Sequence, residues 1–146
     1  MFSFFKKALP LGLAVVSAGV LAACSTGQEM VARLTSEAEK GDVESMVKVA
    51  EMYCAGSGID QDDQICGMWM KRAAEKGHMR ARYMLGRMYE LGLGMRADPV
   101  QAYKWYSLAA EQGYQMAATG AKNMWTVMTP EQHEEAKKLL AESAKK

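Results

Sequence analysis

The sequence predicts an all-α fold, a solenoid of antiparallel helix pairs closed by capping helices, and three observations carry the prediction. Residues 41–76 laid over residues 77–112 without a gap give ten identities in thirty-six positions. Tandem similarity at such a period marks stacked helical hairpins, each covering the apolar face its neighbour leaves open. Within each copy, apolar and small residues recur at spacings of three and four, the period of a helix buried along one stripe. Strand signals are missing as well: the chain has only three Pro, no Asn-Gly or Asp-Gly pair and few β-branched runs. A composition that is 49% hydrophobic and 24% charged supports one packed core and excludes general disorder.

The first element is an address. Lys6 and Lys7 supply a positive end, and Ala8 to Val20 follow as a mostly apolar or small run. That run is shorter than the ~20 apolar residues a bilayer span needs, so it reads as a secretory signal. Its close, Leu21-Ala22-Ala23-Cys24, resembles the lipobox of bacterial lipoproteins. The resemblance implies a signal peptide over residues 1–23, a diacylglyceryl group on the Cys24 sulfur, and a mature chain that starts there. A plain cleavable signal ending at Ala23 and a buried helix are the alternatives. Ser25 after the lipidated cysteine points, by the same resemblance, to the outer membrane, with the domain facing the periplasm. Residues 24–28 then form a short tether, at most ~17 Å when extended. Loss of Lys6 and Lys7 takes the 18 basic residues to 16, against 17 acidic, and nothing in that balance favours nucleic acid.

The folded domain is expected over residues 29–146. Glu39-Lys40-Gly41 stands in register with Glu75-Lys76-Gly77, so residues 29–40 read as a lone second helix capping the N-terminal side. Repeats follow over 41–76 and 77–112. In the second, Ala81, Leu85, Gly86 and Tyr89 form the buried stripe of a first helix, which Gly92 and Gly94 end because glycine takes positive φ without steric cost. Asp98 caps the next helix, with Pro99 at its first position and Gln101 placed to complete a capping box. Ala102, Trp105, Tyr106, Ala109 and Ala110 make the apolar face of that second helix, and Gly113 stops it. The first repeat offers Val49, Tyr53, Gly56, Gly58, Asp62, Cys66, Trp69, Met70, Ala73 and Ala74 at the same places. Residues 113–146 read as a degenerate helix pair. Its first helix is Gln115 to Val127, with no glycine pair after it, and its second starts at a Thr129 cap followed by Pro130 and Gln132. Seven helices in one domain are expected.

Ala81, Leu85-Gly86, Tyr89, Gly92, Gly94, Asp98, Ala102, Trp105-Tyr106, Ala109-Ala110 and Gly113 resemble the unit of the Sel1-like repeat family. The first repeat departs from the family unit at Ser45, Val49, Ala50, Cys66 and Met70, all swaps within a size class. The resemblance implies a right-handed superhelix akin to tetratricopeptide arrays and a protein-interaction or adaptor role without catalysis. A tetratricopeptide repeat itself has a period of 34 and lacks the paired glycines and aspartate between its helices.

Chemistry-bearing residues are sparse. Some cysteine-rich relatives in the family are associated with β-lactam hydrolysis or penicillin binding, which makes a hydrolase the alternative function. Ser45-Met46-Val47-Lys48 does read S-x-x-K, but so do Ser3 to Lys6 and Ser143 to Lys146, and neither S-D-N nor K-T-G is present. Ser45 also holds the small-residue packing position of the repeat. Met84 and Met88 at i, i+4 raise a second alternative, a copper or small-ligand carrier; packing explains them better, since thioethers fill irregular gaps between helices. His78 and His133 read as surface residues, and no metal or cofactor set is assigned. Cys54 and Cys66 close a helical hairpin, within reach of a disulfide in an oxidising compartment, with two buried thiols as the other reading. The remaining candidate is a groove on the first-helix face, made by Glu44, Val47 and Glu51 from one repeat and Arg80, Tyr83 and Arg87 from the next. There a guanidinium could take the carboxylate of an envelope protein or peptide, with Tyr83 as aromatic anchor.

Overall fold

Helix starts and stops recur at the period read from the sequence. The computed structural model describes the backbone of residues 16–143 and the side chains of residues 26–143. Its helices are α1 (Val16–Glu39), α2 (Val43–Ala55), α3 (Asp63–Glu75), α4 (Met79–Leu91), α5 (Pro99–Glu111), α6 (Gln115–Val127) and α7 (Pro130–Ser143), and there is no strand among the described residues. Successive first helices α2, α4 and α6 begin 36 residues apart, as do α3 and α5. Each of α1 to α5 packs on the helix that follows it and α7 packs back on α5, as expected of an all-α solenoid of helix pairs.

The N-terminal helix departs from expectation. It begins at Val16 instead of near residue 29, so residues 24–28, expected to be an extended tether, are helical. The cause is local: from Val16 to Glu39 the chain has no proline, and its two glycines are insufficient to break a run rich in alanine and other helix formers. From Gly27 to Glu39 the helix is in register with Asp63 to Glu75, so α1 completes the stack as a second helix whose first helix is missing. Gly27 lies directly against the Gly58 backbone, where any side chain would collide with the Gly58 carbonyl. The matching contact one period on is Gly94 against the Asp63 carbonyl.

The turns between first and second helices are built alike. Gly56 and Gly92 take left-handed φ of 65° and 70° and donate to the Met52 and Met88 carbonyls. Asp62 and Asp98 then cap α3 and α5, each accepting from the two backbone N–H groups that follow, at 2.9 Å and 2.9 to 3.1 Å. Their own N–H groups donate back to the Tyr53 and Tyr89 carbonyls at 3.0 and 2.9 Å. The capping box expected at Gln101 is therefore not closed, because the Asp98 N–H is spent on the preceding helix. At α7 the box does close: Gln132 N–H donates to Thr129 Oγ1 at 3.3 Å and Thr129 N–H to Gln132 Oε1 at 2.9 Å.

Packing repeats with the turns. Trp69 and Trp105 are buried at equivalent positions, 4% and 5% exposed. A cation lies 4.7 Å from each ring centroid, Arg72 over Trp69 and Lys104 over Trp105. Where the first repeat pairs Met70 with Ala50, the second pairs Tyr106 with Gly86. A Cβ at Gly86 would stand 2.7 Å from the Tyr106 ring, and one at Gly120 of α6 would stand 2.8 Å from its other edge. The larger side chain is thus accommodated by two side-chain-free positions. Cys54 and Cys66 are joined by a disulfide between α2 and α3, their Cα atoms 5.3 Å apart.

Candidate functional site

The first-helix face carries an open groove between α2 and α4, lined by Glu44, Val47, Lys48, Glu51, His78, Met79 and Arg80. Positions equivalent in the two repeats differ in chemistry, Glu44 standing where the second has Arg80, Val47 where it has Tyr83 and Glu51 where it has Arg87. The contacts across the groove run between non-equivalent positions, Glu51 to Arg80 and Glu44 to His78. Arg80 Nη2 lies 2.8 Å from Glu51 Oε1. That oxygen is enclosed and the contact is off the N–H axis, so the pair is ionic more than hydrogen-bonded. Arg80 is therefore engaged within the groove instead of waiting for a carboxylate. Lys48 lines the groove, whereas Arg87, expected there, lies outside its lining two turns along α4 from Arg80; both are exposed and neither makes an ion pair among the described residues.

Two further expectations for the groove are corrected. Val47 is only 4% exposed and belongs to the core cluster that also holds Leu34 and Ala38 of α1; it forms the groove floor. Tyr83 is half-buried and packs away from α2, its ring centroid 4.7 Å from Tyr114 and 5.7 Å from Tyr106. It stiffens the joint between α4, α5 and α6 and is not a free anchor. Tyr106 donates its hydroxyl to Glu90. Burial first, and that bond second, push the Tyr106 hydroxyl pKa far above the ordinary value of 10, so it stays protonated.

Both histidines are less exposed than expected. His78 is the N-cap of α4: Nδ1 accepts from the Ala81 N–H at 3.1 Å, which leaves the ring proton on Nε2, 3.3 Å from Glu44 Oε1. His133 stacks on Trp125, centroids 3.9 Å apart and 9° between planes, with Nε2 2.8 Å from the Trp125 carbonyl oxygen. At the matching cap of α2, the adjoining Ser45, whose backbone N–H donates to Asp42 Oδ2 at 2.8 Å, holds the Asp42 carboxyl below the usual range.

Ser45 is 3% exposed, and its hydroxyl donates to Glu37 Oε2 at 3.0 Å. A buried hydroxyl bound to a carboxylate, with Lys48 turned to solvent, has no path to an acyl substrate. Met88 is 3% exposed and half-buried Met84 packs on the same core. No group of three His, Cys, Asp or Glu side chains converges as a metal site among the described residues. The Cys24 side chain and residues 1–15, which carry the signal and lipidation expectations, lie outside those described. No described helix is long and apolar enough to cross a membrane.

A second opening escaped the sequence reading. Between α3, α5 and α7 lies a cleft of about 1170 Å³ lined in part by Lys71, Lys76, Arg82, Arg96, Lys104 and Trp105. Arg82 closes its floor: Nε donates to the Ala74 carbonyl at 3.1 Å and Nη1 to Gln112 Oε1 at 2.9 Å, while Gln112 Nε2 donates to the Gly77 carbonyl at 2.8 Å. Its lining is drawn from α3, α4, α5, α7 and the turns between them, so no single spacing in the chain marks it.

Residues 43–78 and 80–114 each match the model of the Sel1 repeat. No curated protein matches the chain. Among solved structures, the chain is similar to a protective antigen of uropathogenic Escherichia coli strains that displays an SLR fold. Identity there is 24% over 87% of this chain and 30% of that chain, with a TM-score of 0.75. It is also similar to a Sel1 repeat protein from Oxalobacter formigenes, 36% identical over 60% of this chain and 25% of that chain, with a TM-score of 0.57. The chain spans less than a third of either protein.

Proposed function

Because the chain is a Sel1-like repeat protein, a fold commonly used for protein–protein interaction, we propose that it is a lipid-anchored interaction module of the bacterial cell envelope. In this reading Cys24 carries the anchor, the domain faces the periplasm, and the groove between α2 and α4 binds an acidic protein segment at Lys48 in its lining, with exposed Arg87 two turns along α4 from Arg80 as a second contact. One observation carries the binding role. Positions shared by the two repeats are those that cap or pack, such as Asp62 and Asp98 or Trp69 and Trp105, whereas groove positions differ in charge and size. A frame held constant beneath a varied face is how solenoids are adapted to different ligands.

The test is site-specific photocrosslinking in intact cells. A crosslinker in place of Met79, which is 37% exposed in the groove, should give a discrete protein adduct that disappears in a K48E/R87E background. Met68, exposed on α3, is the control position. Equal adducts from both positions, or an adduct indifferent to charge reversal, would refute the groove as the binding face.

A further inference from the structure

We propose that the domain stands edge-on against the lipid bilayer, with Leu91, Leu93 and Val127 entering the interfacial layer. The inference rests on the membrane-anchored reading above and adds which surface meets the lipid and how the groove is oriented.

Antiparallel hairpins give the solenoid two unlike edges. One gathers the ends of α2, α4 and α6 with the starts of α3, α5 and α7. The other gathers the Gly41, Gly77 and Gly113 turns. The N-terminal segment leaves along the first edge, because α1 meets it at the Gly27–Gly58 contact. From Gly27 the helix continues back through Cys24, only three residues, or about 4.5 Å of helical rise, beyond the contact. A lipid on that cysteine, or the apolar run before it, is therefore delivered to this edge without a slack tether.

The side chains there suit that environment. Leu91, Leu93 and Val127 are 56%, 42% and 65% exposed, and all three lie on this edge. Neither leucine is required by the hairpin, since Ala55 and Ser57 stand at the same places in the first repeat. Arg96, exposed on the same turn as Leu93, can keep its guanidinium among lipid phosphates while its stem lies along apolar surface. The opposite edge also exposes Met79 and Met116, but its turns are charged by exposed Glu39, Lys40, Glu75, Lys76 and Glu111. The α2–α3 turn, beside the anchor, carries exposed Asp60 and the α6–α7 turn exposed Glu131, so apolar contact centres on Leu91 and Leu93 of the α4–α5 turn, with Val127 beside them. An anchor at one end of an edge and leucines toward the other make two points of attachment, which is what durable and oriented membrane binding needs. The helices then rise from the bilayer, and the groove between α2 and α4 stays open to the periplasm along its length.

The experiment places the full chain on phosphatidylethanolamine and phosphatidylglycerol vesicles containing a phospholipid with a photoactivatable acyl chain, then maps lipid adducts by mass spectrometry. Adducts are expected on the N-terminal segment and, several-fold above the Gly41, Gly77 and Gly113 turns, on peptides covering 91–97 and 127–129. An L91E/L93E/V127E variant should lose the second set and keep the first. Adducts confined to the N-terminal segment, or spread evenly over both edges, would overturn the edge-on orientation and leave the anchored reading standing. No adduct on the N-terminal segment would overturn both.

Discussion

Replacing Gly86 with alanine tests whether the second repeat is held by the fit of Tyr106 between two bare helix positions. In an open helix interior, Gly→Ala stabilises by about 1 kcal/mol through backbone entropy and propensity. At Gly86 the new methyl would stand 2.7 Å from Tyr106 Cδ1 and 2.8 Å from Cε1. The ring cannot step aside, since its far edge is bounded by Gly120 and its hydroxyl is tied to Glu90. Overpacking of this kind costs roughly 1 to 3 kcal/mol, so the net effect is about 1 kcal/mol of destabilisation. For a domain of this size that lowers the melting temperature by roughly 3 to 6 °C. In a Y106M background, which recreates the first repeat's pairing of Met70 with Ala50, the same G86A change should recover its intrinsic gain of up to about 1 kcal/mol. Urea denaturation of the four proteins would then give a coupling energy near 2 kcal/mol. If G86A stabilises equally in both backgrounds, the volume exchange between Tyr106 and Gly86 does not hold the joint and the packing argument fails.

Reduction of the Cys54–Cys66 bond, which closes a short loop between α2 and α3, should cost about 2 to 3 kcal/mol, read as a lower urea midpoint with reductant present and no response in a C54S/C66A protein. Tyr106 carries a pKa raised in the folded state. Its stabilising contribution is therefore complete below the unfolded value near 10 and is lost as pH climbs above it. Melting temperature should fall more steeply above pH 10 in the wild type than in Y106F, and parallel curves would show that this hydroxyl is not the titrating group.

The repeat period, the seven helices and the Asp62, Asp98 and Thr129 caps were legible in the chain, because each depends on residues a few positions apart, whereas the His78 cap of α4 was not. Gly92 with Asp98 determines a turn wherever it stands, and Thr129-Pro130 starts a helix without help from the rest of the fold. Trp69 and Trp105 were likewise readable as core, since a helical stripe shows which face is covered. The groove was not readable at that level. Its membership depends on pairings between repeats, and a helical period cannot distinguish a side chain aimed at solvent from one aimed at the adjacent helix. Val47 thus became floor, Tyr83 became packing beside Tyr114, and Arg80 was taken up by Glu51.

By itself, then, the amino-acid order determined the local code: where helices begin and end, which stripe is buried, and that hairpins stack. Only the tertiary structure decided which charges remain unpaired in the groove, that Arg82 and Gln112 lock one repeat to the next, and on which edge α1 departs beside exposed Leu91 and Leu93. The physical reason is range. Caps and stripes are set by short-range sterics and hydrogen bonding, whereas ion pairs, ring stacks and edges arise between residues a whole repeat apart, where several partners are chemically equivalent until the helices are stacked.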